Sequence, residues 1–510
     1  MRTHRLLILL ALATATAARG QMVFKTEAQL TASDGDNTPL WLNANRYGLS
    51  SLETTNGYLR AGLFRDLEQD SARSWKRGFG ADVALATGFS STLVVQQAYA
   101  EVGWRKGLLT LGAKEQPMEL KNQELSSGPQ TLGINARPVP GIRLALPDYW
   151  NVPFSKGWLG LKGHLFYGVT TDDSWQRDFS HLQSRYTKHT MLHTKAGYLR
   201  LGREAKPFTV ELGLEMGSQF SGTSFIPGNT ETMVIKNQSG LSGIVSALIP
   251  SGSDAIEKDF GSYRNKEGNH VGSWVVRANY EQPGWGVSLY ADHFFEDQSQ
   301  LFLLDYDGYG TGEDWDRWEH FGWFVYDLRD MLVGAELRLK HCKWLQSVVA
   351  EYLYTKYQSG PVYHDHTMVI SDHIGGIDDY YNHYVFTGWQ HWGQVMGNPL
   401  YRSPLYNDNG MINVLNNRFW AWHLGMSGTP AEGLHYRLLA TWQKGFGTYH
   451  HPLVEPQKNV SLMAEARYAF PKDSKLEGWS LKGAVALDRG ELLGDNTGVQ
   501  LTIGKQLNIK

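Results

Sequence analysis

The sequence lacks three features that would place it in a common structural class. Its single cysteine, Cys342, excludes an intrachain disulfide and therefore the disulfide-stabilised secreted domains. Beyond the first twenty residues, no apolar stretch approaches the roughly eighteen residues that a membrane helix needs. A formal net charge of −3 provides no basic surface, so no nucleic-acid partner is expected. The structural class must therefore be inferred from the pattern of apolar and polar residues along the chain.

The start of the chain carries a targeting pattern. It reads MRTHRLLILLALATATAARG, in which Arg2 and Arg5 precede an apolar run and then small residues. This order is typical of a secretory signal peptide. We predict that residues 1–20 are a signal peptide, cleaved between Ala17 and Gly20, and that residues 21–510 form a single exported domain.

The segment PFTVELGLEMGSQFSG (207–222) alternates between two kinds of side chain. Its even positions, from Phe208 to Phe220, are apolar apart from Ser218, whereas its odd positions are polar or glycine. A period of two predicts a β-strand. Thirteen residues rise about 43 Å at ~3.3 Å each, which at the ~45° tilt of barrel strands spans a bilayer core. One face of this strand is therefore predicted to contact lipid and the other water.

Strict alternation recurs along the chain, and the abundance of 55 Gly, 18 Trp, 25 Tyr and 20 Phe is typical of strands joined by tight turns. We count about eighteen candidate strands. Most long gaps follow odd-numbered strands and most short gaps follow even-numbered ones, as in a membrane barrel with long extracellular loops and short periplasmic turns. The predicted fold class is an all-β, transmembrane antiparallel β-barrel. The predicted strands lie near residues 22–33, 57–66, 76–88, 92–105, 107–115, 138–147, 157–170, 189–201, 206–221, 271–282, 284–296, 330–341, 344–358, 418–427, 433–446, 456–470, 478–488 and 496–510.

A barrel of this size encloses a lumen too wide for strand side chains to fill. Loops 222–270, 297–329 and 359–417 are long enough to enter the lumen as a plug or to bind a ligand. The charged residues at inward positions have two interpretations: they line a selective pore, or they brace the lumen as charge ladders. The inward candidates are Glu211, Glu215, Arg277, Glu336, Arg338, Glu465, Arg467 and Lys482.

Five segments carry a family resemblance. They read DGDNTPLWLNANRYGLSSLE (34–53), NGYLRAGLFR (56–65), LGAKEQP (111–117), RPVPGIRLALPDYWNVPFSKGWLGLKGHLFYG (137–168) and ELGLEMGSQFSG (211–222), and together they resemble the capsule assembly Wzi family in its Bacteroides-type form. The resemblance implies an eighteen-stranded, lectin-like barrel in the outer membrane of a Gram-negative bacterium, which helps to hold capsular polysaccharide at the cell surface. It implies capsular polysaccharide, outer-membrane lipid and the capsule export machinery as partners. The helical bundle that precedes the barrel in enteric members has no counterpart here, and no residue role is carried over.

The segment DYDGYGTGEDWDRWEHFGW (305–323) combines tryptophans with acidic residues. Sugar sites commonly pair an aromatic face with carboxylates that bind hydroxyls, so we predict a polysaccharide-binding surface here. The alternative is that the tryptophans anchor a loop over the barrel mouth and the acids are solvated. A calcium site is a weaker interpretation, because Gly308 does not stand where an EF-hand loop needs its glycine. The predicted binding residues are Trp315, Trp318, Trp323, Asp314 and Asp316.

The stretch from His364 to Arg402 is rich in imidazoles and also contains tryptophans. Its histidine spacing matches no known zinc pattern, and we predict neither a metal nor a cofactor. The imidazoles can instead bond hydroxyls or serve in a loop plug, and Arg402 can pair with the carboxylates of an acidic polysaccharide. We therefore add Trp389, His391, Trp392 and Arg402 to the predicted polysaccharide-binding residues.

Three functions follow from a barrel of this kind. The first is a non-enzymatic protein whose loops bind capsular polysaccharide, and the alternative is a porin or sugar-selective channel, which needs an open lumen. A membrane-embedded hydrolase is disfavoured, since the sequence contains no G-x-S-x-G motif. Glu211 and Glu215 also lie about 13 Å apart along one strand face, too far for a glycosidase pair.

Overall fold

The strands form a closed barrel in the computed structural model, which describes residues 21–70, 72–249, 256–259, 262–265, 268–296, 308–309, 312–319, 330–364 and 373–509. One antiparallel sheet contains 18 strands. The first strand pairs with the last, from Met22 opposite Ile509 to Asp34 opposite Thr497, so the sheet closes on itself. The predicted fold class is confirmed, whereas the predicted signal peptide lies outside the described residues.

We label the barrel strands β1 to β18 in chain order. Each corresponds to one predicted strand, and the ends differ by a few residues. Alternation locates a strand better than it locates its ends, because the pattern fades where the chain turns. The bounds are β1 Met22–Asp34, β2 Thr55–Arg65, β3 Trp75–Thr87, β4 Leu93–Trp104, β5 Gly107–Ala113, β6 Gly141–Asn151, β7 Leu159–Val169, β8 Met191–Leu201, β9 Phe208–Phe220, β10 Asn269–Glu281, β11 Trp285–Glu296, β12 Met331–Leu339, β13 Ser347–Tyr354, β14 Phe419–Ala431, β15 Leu434–Gly447, β16 Pro452–Ala469, β17 Trp479–Gly490 and β18 Asn496–Ile509.

Shorter elements lie in the connections. The helices are α1 Leu40–Asn43, α2 Asp173–Phe179 and α3 Gly240–Leu248, and 3-10 turns span Leu67–Asp70, Pro153–Ser155, Gly312–Asp314 and Pro404–Tyr406. A second sheet consists of Tyr186–Lys188, Thr223–Pro227, Thr232–Asn237, Ser262–Asn265 and Ile256–Asp259. Two-stranded pairs join Gly308–Tyr309 with Trp318–Glu319, Ser359–His364 with His373–Ile377, and Gln390–His391 with Gln394–Val395. Within the described part of the chain, no helix is long and apolar enough to cross a membrane.

The connections between strands differ in length at the two ends of the barrel. Every connection after an even-numbered strand is short, the longest being 66–74 and 470–478. Those after odd-numbered strands include three short turns, 88–92, 448–451 and 491–495. The long-loop end is the outer mouth, because membrane barrels keep their short turns on the periplasmic side. Its long connections are 35–54, 114–140, 170–190, 221–268, 297–330 and 355–418.

The outer wall of the barrel exposes large apolar side chains at alternate positions. In β18, Leu501 and Ile503 are exposed, whereas the neighbouring Gln500 and Thr502 face inward and are buried. Belts of aromatic residues are typical of the membrane–water interface. Exposed aromatics gather at the short-turn end and are Trp75, Trp104, Trp150, Phe154, Trp158, Phe208, Tyr280, Trp285, Trp344 and Trp479.

Segments of three long connections fold into the lumen. The backbone N–H of Leu40 donates to Asp488 Oδ2 on β17 (3.0 Å), and the Trp389 indole packs against Gly217 on β9, where an added Cβ would lie 2.1 Å from the ring. These contacts reach opposite sides of the barrel, so the loops span the lumen. The segments, which we call the lumen loops, are residues 35–54, 114–140 and 378–418. The large buried side chains of the core inside the barrel include Trp41, Leu125, Phe294, Tyr380, Tyr381, Trp389, Tyr401 and Phe419.

Charged side chains that face inward form ion pairs within a strand, between strands and between the wall and a lumen loop. Arg338 Nη1 lies 3.0 Å from Glu336 Oε2, and Arg277 pairs with the same carboxylate. Glu465 accepts from Arg437 Nε (2.7 Å) and from Nη2 of Arg46 in a lumen loop (3.2 Å). Such pairs connect one strand to another and the wall to a loop. They favour the interpretation that the inward charges brace the lumen over the interpretation that they line a pore.

The predicted loops take different positions. Residues 378–417 of the predicted loop 359–417 lie in the lumen. The described residues of loop 222–270 form part of the second sheet and α3. Most of loop 297–329 lies outside the described residues.

Candidate functional site

A hairpin in the third lumen loop presents Trp392 at the outer mouth. Gln390–His391 pairs with Gln394–Val395, and the two turn residues, Trp392 and Gly393, have positive φ angles of 56° and 77°. Two successive left-handed residues are characteristic of a type I′ turn, in which glycine and asparagine are usual and tryptophan is not. This conformation costs a residue with a side chain roughly 1–2 kcal/mol. Contacts around Trp392 must therefore hold it in place.

Three contacts fix Trp392. Its backbone N–H donates to Asp172 Oδ2 (3.1 Å), and its indole Nε1 donates to Thr171 Oγ1 (3.0 Å). The Arg137 guanidinium lies over the indole ring, 4.4 Å from the centroid, a cation–π contact worth about 0.5–2 kcal/mol. The indole is half-buried and is held before any ligand arrives, which lowers the entropy cost of binding.

Asp172 supplies a buried carboxylate beneath this hairpin. Its Oδ2 accepts from the Trp392 N–H and from Gln390 Nε2 (3.4 Å). Its Oδ1 is buried without a hydrogen-bond partner among the described residues. Most buried polar atoms are paired, and this oxygen is an exception that lies beneath the hairpin, since Asp172 is fully buried.

Arg137 supplies the opposite charge. Its Nη2 donates to Ser90 Oγ (3.0 Å), and its Nε donates to the Gly48 carbonyl (3.4 Å). Burial lowers the pKa of Arg137 to about 10, and the charge of Asp172 opposes that shift. The guanidinium thus remains a cation at neutral pH and keeps its contact with the Trp392 ring.

His391 ties the hairpin to two other loops. Its Nδ1 donates to the Arg137 carbonyl (2.9 Å), while its Nε2 accepts from the Thr171 N–H (3.1 Å). Burial lowers the pKa of His391, so the ring is neutral and both hydrogen bonds are retained. His391 is fully buried and positions its neighbour Trp392.

A second tryptophan lies beside the hairpin. Trp175 on α2 stacks on Phe179, with ring centroids 4.9 Å apart. A Cβ added to Gly393 would lie 2.6 Å from Trp175 Cη2, so glycine at this turn permits the close approach of the indole. We call the resulting cluster of two tryptophans, a hydroxyl, a guanidinium and a carboxylate the mouth site. Its members are Arg137, Thr171, Asp172, Trp175 and Trp392.

The other predicted residues of this stretch lie elsewhere. Trp389 belongs to the buried core of the barrel, where its Nε1 donates to the Thr131 carbonyl (2.9 Å). Arg402 donates from Nη1 to Asn407 Oδ1 (2.8 Å) and from Nη2 to the Tyr406 carbonyl (2.6 Å). Of the four residues predicted here, Trp392 belongs to the mouth site, and His391 positions it through hydrogen bonds to Arg137 and Thr171.

The acidic, tryptophan-rich stretch is only partly described. Asp314 and Arg317 form an exposed ion pair of 3.8 Å, and Trp318 is exposed in the short pairing with Gly308–Tyr309. Trp315 is half-buried and Asp316 is exposed. Trp323 lies outside the described residues. The binding role of this stretch stays a prediction.

Within the described part of the chain, no group of three His, Cys, Asp or Glu residues could hold a metal ion. Asp365 and His366 of the imidazole-rich stretch, and Asp305 and Asp307 of the acidic stretch considered for calcium, lie outside that part.

Sequence reasoning did not find Arg137, Thr171, Asp172 and Trp175. The last three belong to TTDDSW (170–175), which combines acids, hydroxyls and a tryptophan in a predicted long gap. That composition is the same signal that singled out the stretch at 305–323. Arg137 carries no such signal, since it acts through a ring that is distant in the chain.

The geometry defines an outer-membrane type β-barrel with a polar and aromatic site at its outer mouth. No protein-family model matches the sequence, and no curated protein matches it. Its fold resembles that of Wzi from Escherichia coli, an outer membrane protein involved in group 1 capsule assembly and described as a carbohydrate-binding β-barrel. That comparison has 12% identity and a TM-score of 0.55, and it covers 95% of this chain and 84% of that chain.

Two further solved structures are more distant. OprD from Pseudomonas aeruginosa matches at 10% identity and a TM-score of 0.45, covering 96% of this chain and 93% of that chain. OccAB4 from Acinetobacter baumannii matches at 11% identity and a TM-score of 0.47, covering 96% and 98%. At such identities the comparisons show the fold alone. The predicted resemblance to the Wzi family is therefore supported for the fold, and family membership stays a prediction.

Proposed function

We propose that the protein is a non-enzymatic, lectin-like barrel of the outer membrane that binds capsular polysaccharide and keeps it at the cell surface. The observation that carries the proposal is Trp392, which is held half-exposed in a left-handed turn between the Arg137 guanidinium and the Asp172 carboxylate. Residues in such unfavourable conformations cluster at binding sites, where the surrounding structure holds them.

The chemistry of the mouth site suits a sugar. An indole face packs against the C–H side of a pyranose, and a nearby exposed hydroxyl can bind its hydroxyl groups. Thr171 is exposed beside the indole, and Arg137 adds a positive charge that favours an acidic polymer. One such site binds weakly, but a long polymer engages many copies of the protein at once, so total retention is strong.

The filled lumen favours retention over passage. Loop side chains from 35–54, 114–140 and 378–418 pack together inside the barrel, whereas a channel needs a continuous open path. The alternative function, a porin or sugar-selective channel, predicts steady single-channel conductance of the purified barrel in a planar bilayer. Our proposal predicts none.

Binding of purified capsular polysaccharide to the protein in detergent tests the site. Trp392→Ala should weaken binding about two- to tenfold, since the stacking of one aromatic side chain contributes about 0.5–1.5 kcal/mol. Trp344→Ala is the matched control, because Trp344 is exposed at the opposite, short-turn end. Equal affinities for Trp392→Ala and the unchanged protein would rule out the mouth site.

A deletion strain tests the function in the cell. Capsular polysaccharide is measured separately on washed cells and in the medium. We expect polymer to move from cells to medium while the total stays constant. An unchanged partition would contradict the proposed role in capsule retention, whatever the purified protein binds.

A further inference from the structure

Part of the outer wall is polar near the outer mouth. Lys195 on β8 pairs with Leu165 on β7, and because paired residues share a face of the sheet, Lys195 points outward with the exposed Leu165. His193 and Ser218 are the next outward residues on their strands and pair with each other. We call these side chains, with Tyr167 and His270 that pair with them, the polar wall patch.

Helix α3 (Gly240–Leu248) covers this patch from outside the barrel. Lys195 Nζ donates to the Leu248 carbonyl at the end of the helix, and Tyr167 Oη donates to the Ile244 carbonyl (3.2 Å). Ser218 Oγ donates to the Ala247 carbonyl (3.4 Å) and hydrogen-bonds His270 Nδ1 (2.6 Å). The last carbonyls of a helix lack partners within it and carry partial negative charge, so a lysine ammonium suits this end.

The covering has a steric basis as well. A Cβ on Gly243 would lie 2.6 Å from the Gln238 carbonyl oxygen and 3.4 Å from the Phe220 ring. Glycine at this position therefore avoids a clash with the segment that leads into the helix, at a point where the helix packs against Phe220 of the wall. Met216, Ser218 and Phe220, whose alternation predicts contact with lipid, are buried in consequence.

The side of α3 that faces away from the wall is apolar. Leu241, Val245 and Ile249 follow each other at intervals of four residues, and their exposed fractions are 83%, 56% and 65%. Leu165 and Val169, on the neighbouring β7, are exposed on the same outer surface. The apolar stripe of α3 thus continues the lipid-facing surface of the barrel, which the polar wall patch would otherwise interrupt.

We propose that α3 lies in the outer leaflet of the membrane, with Leu241, Val245 and Ile249 in contact with lipid acyl chains. The wall patch needs such a cover, because an unpaired lysine or histidine in contact with hydrocarbon costs several kcal/mol. Helix α3 is then a lateral lipid anchor of the barrel. This role is independent of polysaccharide binding at the mouth site.

Lipid contact is tested with an environment-sensitive dye in proteoliposomes. Leu241→Cys and Val245→Cys are made in a Cys342→Ser background, labelled with a nitrobenzoxadiazole dye and mixed with lipids that carry a spin label on the acyl chain. We expect both sites to lose the same fraction of fluorescence as Leu212→Cys on the exposed wall of β9. Asn409→Cys, exposed on a lumen loop, should keep its fluorescence.

Two outcomes would overturn the proposal. In the first, the Leu241 and Val245 dyes behave like the Asn409 dye and are quenched by aqueous iodide instead. In the second, neither quencher reaches them and the unlabelled cysteines cross-link two copies of the chain, so that a second copy and not lipid covers the stripe. The substituted side chains are exposed, and resistance of the barrel to unfolding in detergent checks that each variant is folded.

Discussion

The wall and the lumen loops place aromatic side chains in opposite environments. On the wall, tryptophans such as Trp422 point outward and are exposed to the membrane, and each lies on a strand whose backbone is held by its neighbours. In the lumen loops, Trp389 and Tyr381 point into a core with little regular structure, held by side-chain contacts between distant segments. The barrel therefore has two apolar regions, one completed by lipid and one by its own loops. The contacts within the core formed by the lumen loops should control the geometry of the mouth site.

The largest difference between the two regions should appear in the free energy of unfolding when one tryptophan is removed from each. Trp389 is 1% exposed and Trp422 is 57% exposed. Trp389→Ala leaves a large cavity and an unpaired Thr131 carbonyl, and should lower the free energy of unfolding by about 3–5 kcal/mol. Trp422→Ala should lower it by less, because lipid fills the space. Urea unfolding of the barrel in lipid vesicles measures both, and equal losses would mean that the lumen core contributes no more than the wall.

The junction of the two regions should show the next largest effect. Glu351 on β13 accepts from Ser126 Oγ (2.6 Å), from the Ser127 N–H (2.8 Å) and from Tyr290 Oη (2.6 Å). Glu351→Ala leaves these buried donors unpaired and should cost about 2–4 kcal/mol.

The control for Glu351 is Glu281, whose carboxylate is partly exposed and pairs with Arg338 and Lys340. Glu281→Ala should cost less than about 1 kcal/mol, as exposed ion pairs usually do. Faster proteolysis of the loop 114–140 in Glu351→Ala would locate the damage. If both variants lose the same stability, the wall does not depend on its hydrogen bonds to the lumen loops.

The two regions also differ in how far their environments follow from sequence. Leu501 and Gln500 are neighbours with opposite environments, and parity along one strand predicts both. Trp389 and Trp392 are three residues apart, yet one is buried against Thr131 and the other is half-exposed under Arg137. Nothing local distinguishes these two tryptophans, because their environments depend on segments far away in the chain.

Ser218 and Phe220 are outward-facing wall residues that are nevertheless buried, and their environment also depends on a segment outside their own strand. Alternation in β9 places Ser218 and Phe220 on the outer face, and the structure agrees. It does not reveal that a helix from the following connection covers them. The sequence thus predicts on which face of the wall a side chain lies. Tertiary contacts determine whether that side chain is covered by protein or contacts lipid.

A change of pH should act on the lumen loops through His383. His383 Nδ1 accepts from the backbone N–H groups of Val385 (3.0 Å) and Phe386 (3.2 Å). Burial, together with the nearby Arg185 and His270, lowers the pKa of His383 to about 3. Between its unfolded pKa near 6.5 and this value, the unfolded chain binds a proton that the folded chain does not. Stability should therefore be constant above pH 7 and fall by about 2 kcal/mol from pH 7 to pH 5 through this one group.

A matched pair of variants isolates that contribution. In His383→Asn the amide oxygen can accept the same backbone N–H groups but does not titrate, so the fall with pH should become smaller. His450→Asn, at an exposed position in the turn 448–451, should leave the fall unchanged. Free energies of unfolding measured at pH 7 and pH 5 provide the comparison. An identical slope in His383→Asn and the unchanged protein would mean that His383 is protonated in the folded state.

The smallest expected effect concerns one backbone angle, and it tests whether the lumen loops impose the conformation of the mouth site. Trp392 has a φ of 56°, which glycine adopts freely and alanine does not. Trp392→Gly and Trp392→Ala both remove the indole, so both should weaken polysaccharide binding equally. Trp392→Gly should nevertheless be more stable than Trp392→Ala by about 1 kcal/mol, because only alanine retains the strain. If alanine were as stable as glycine, the turn would relax once the indole is gone, and the indole itself would be what holds the turn. If glycine is more stable, the strain comes from the surrounding loops, and these loops hold the tryptophan in position for its ligand.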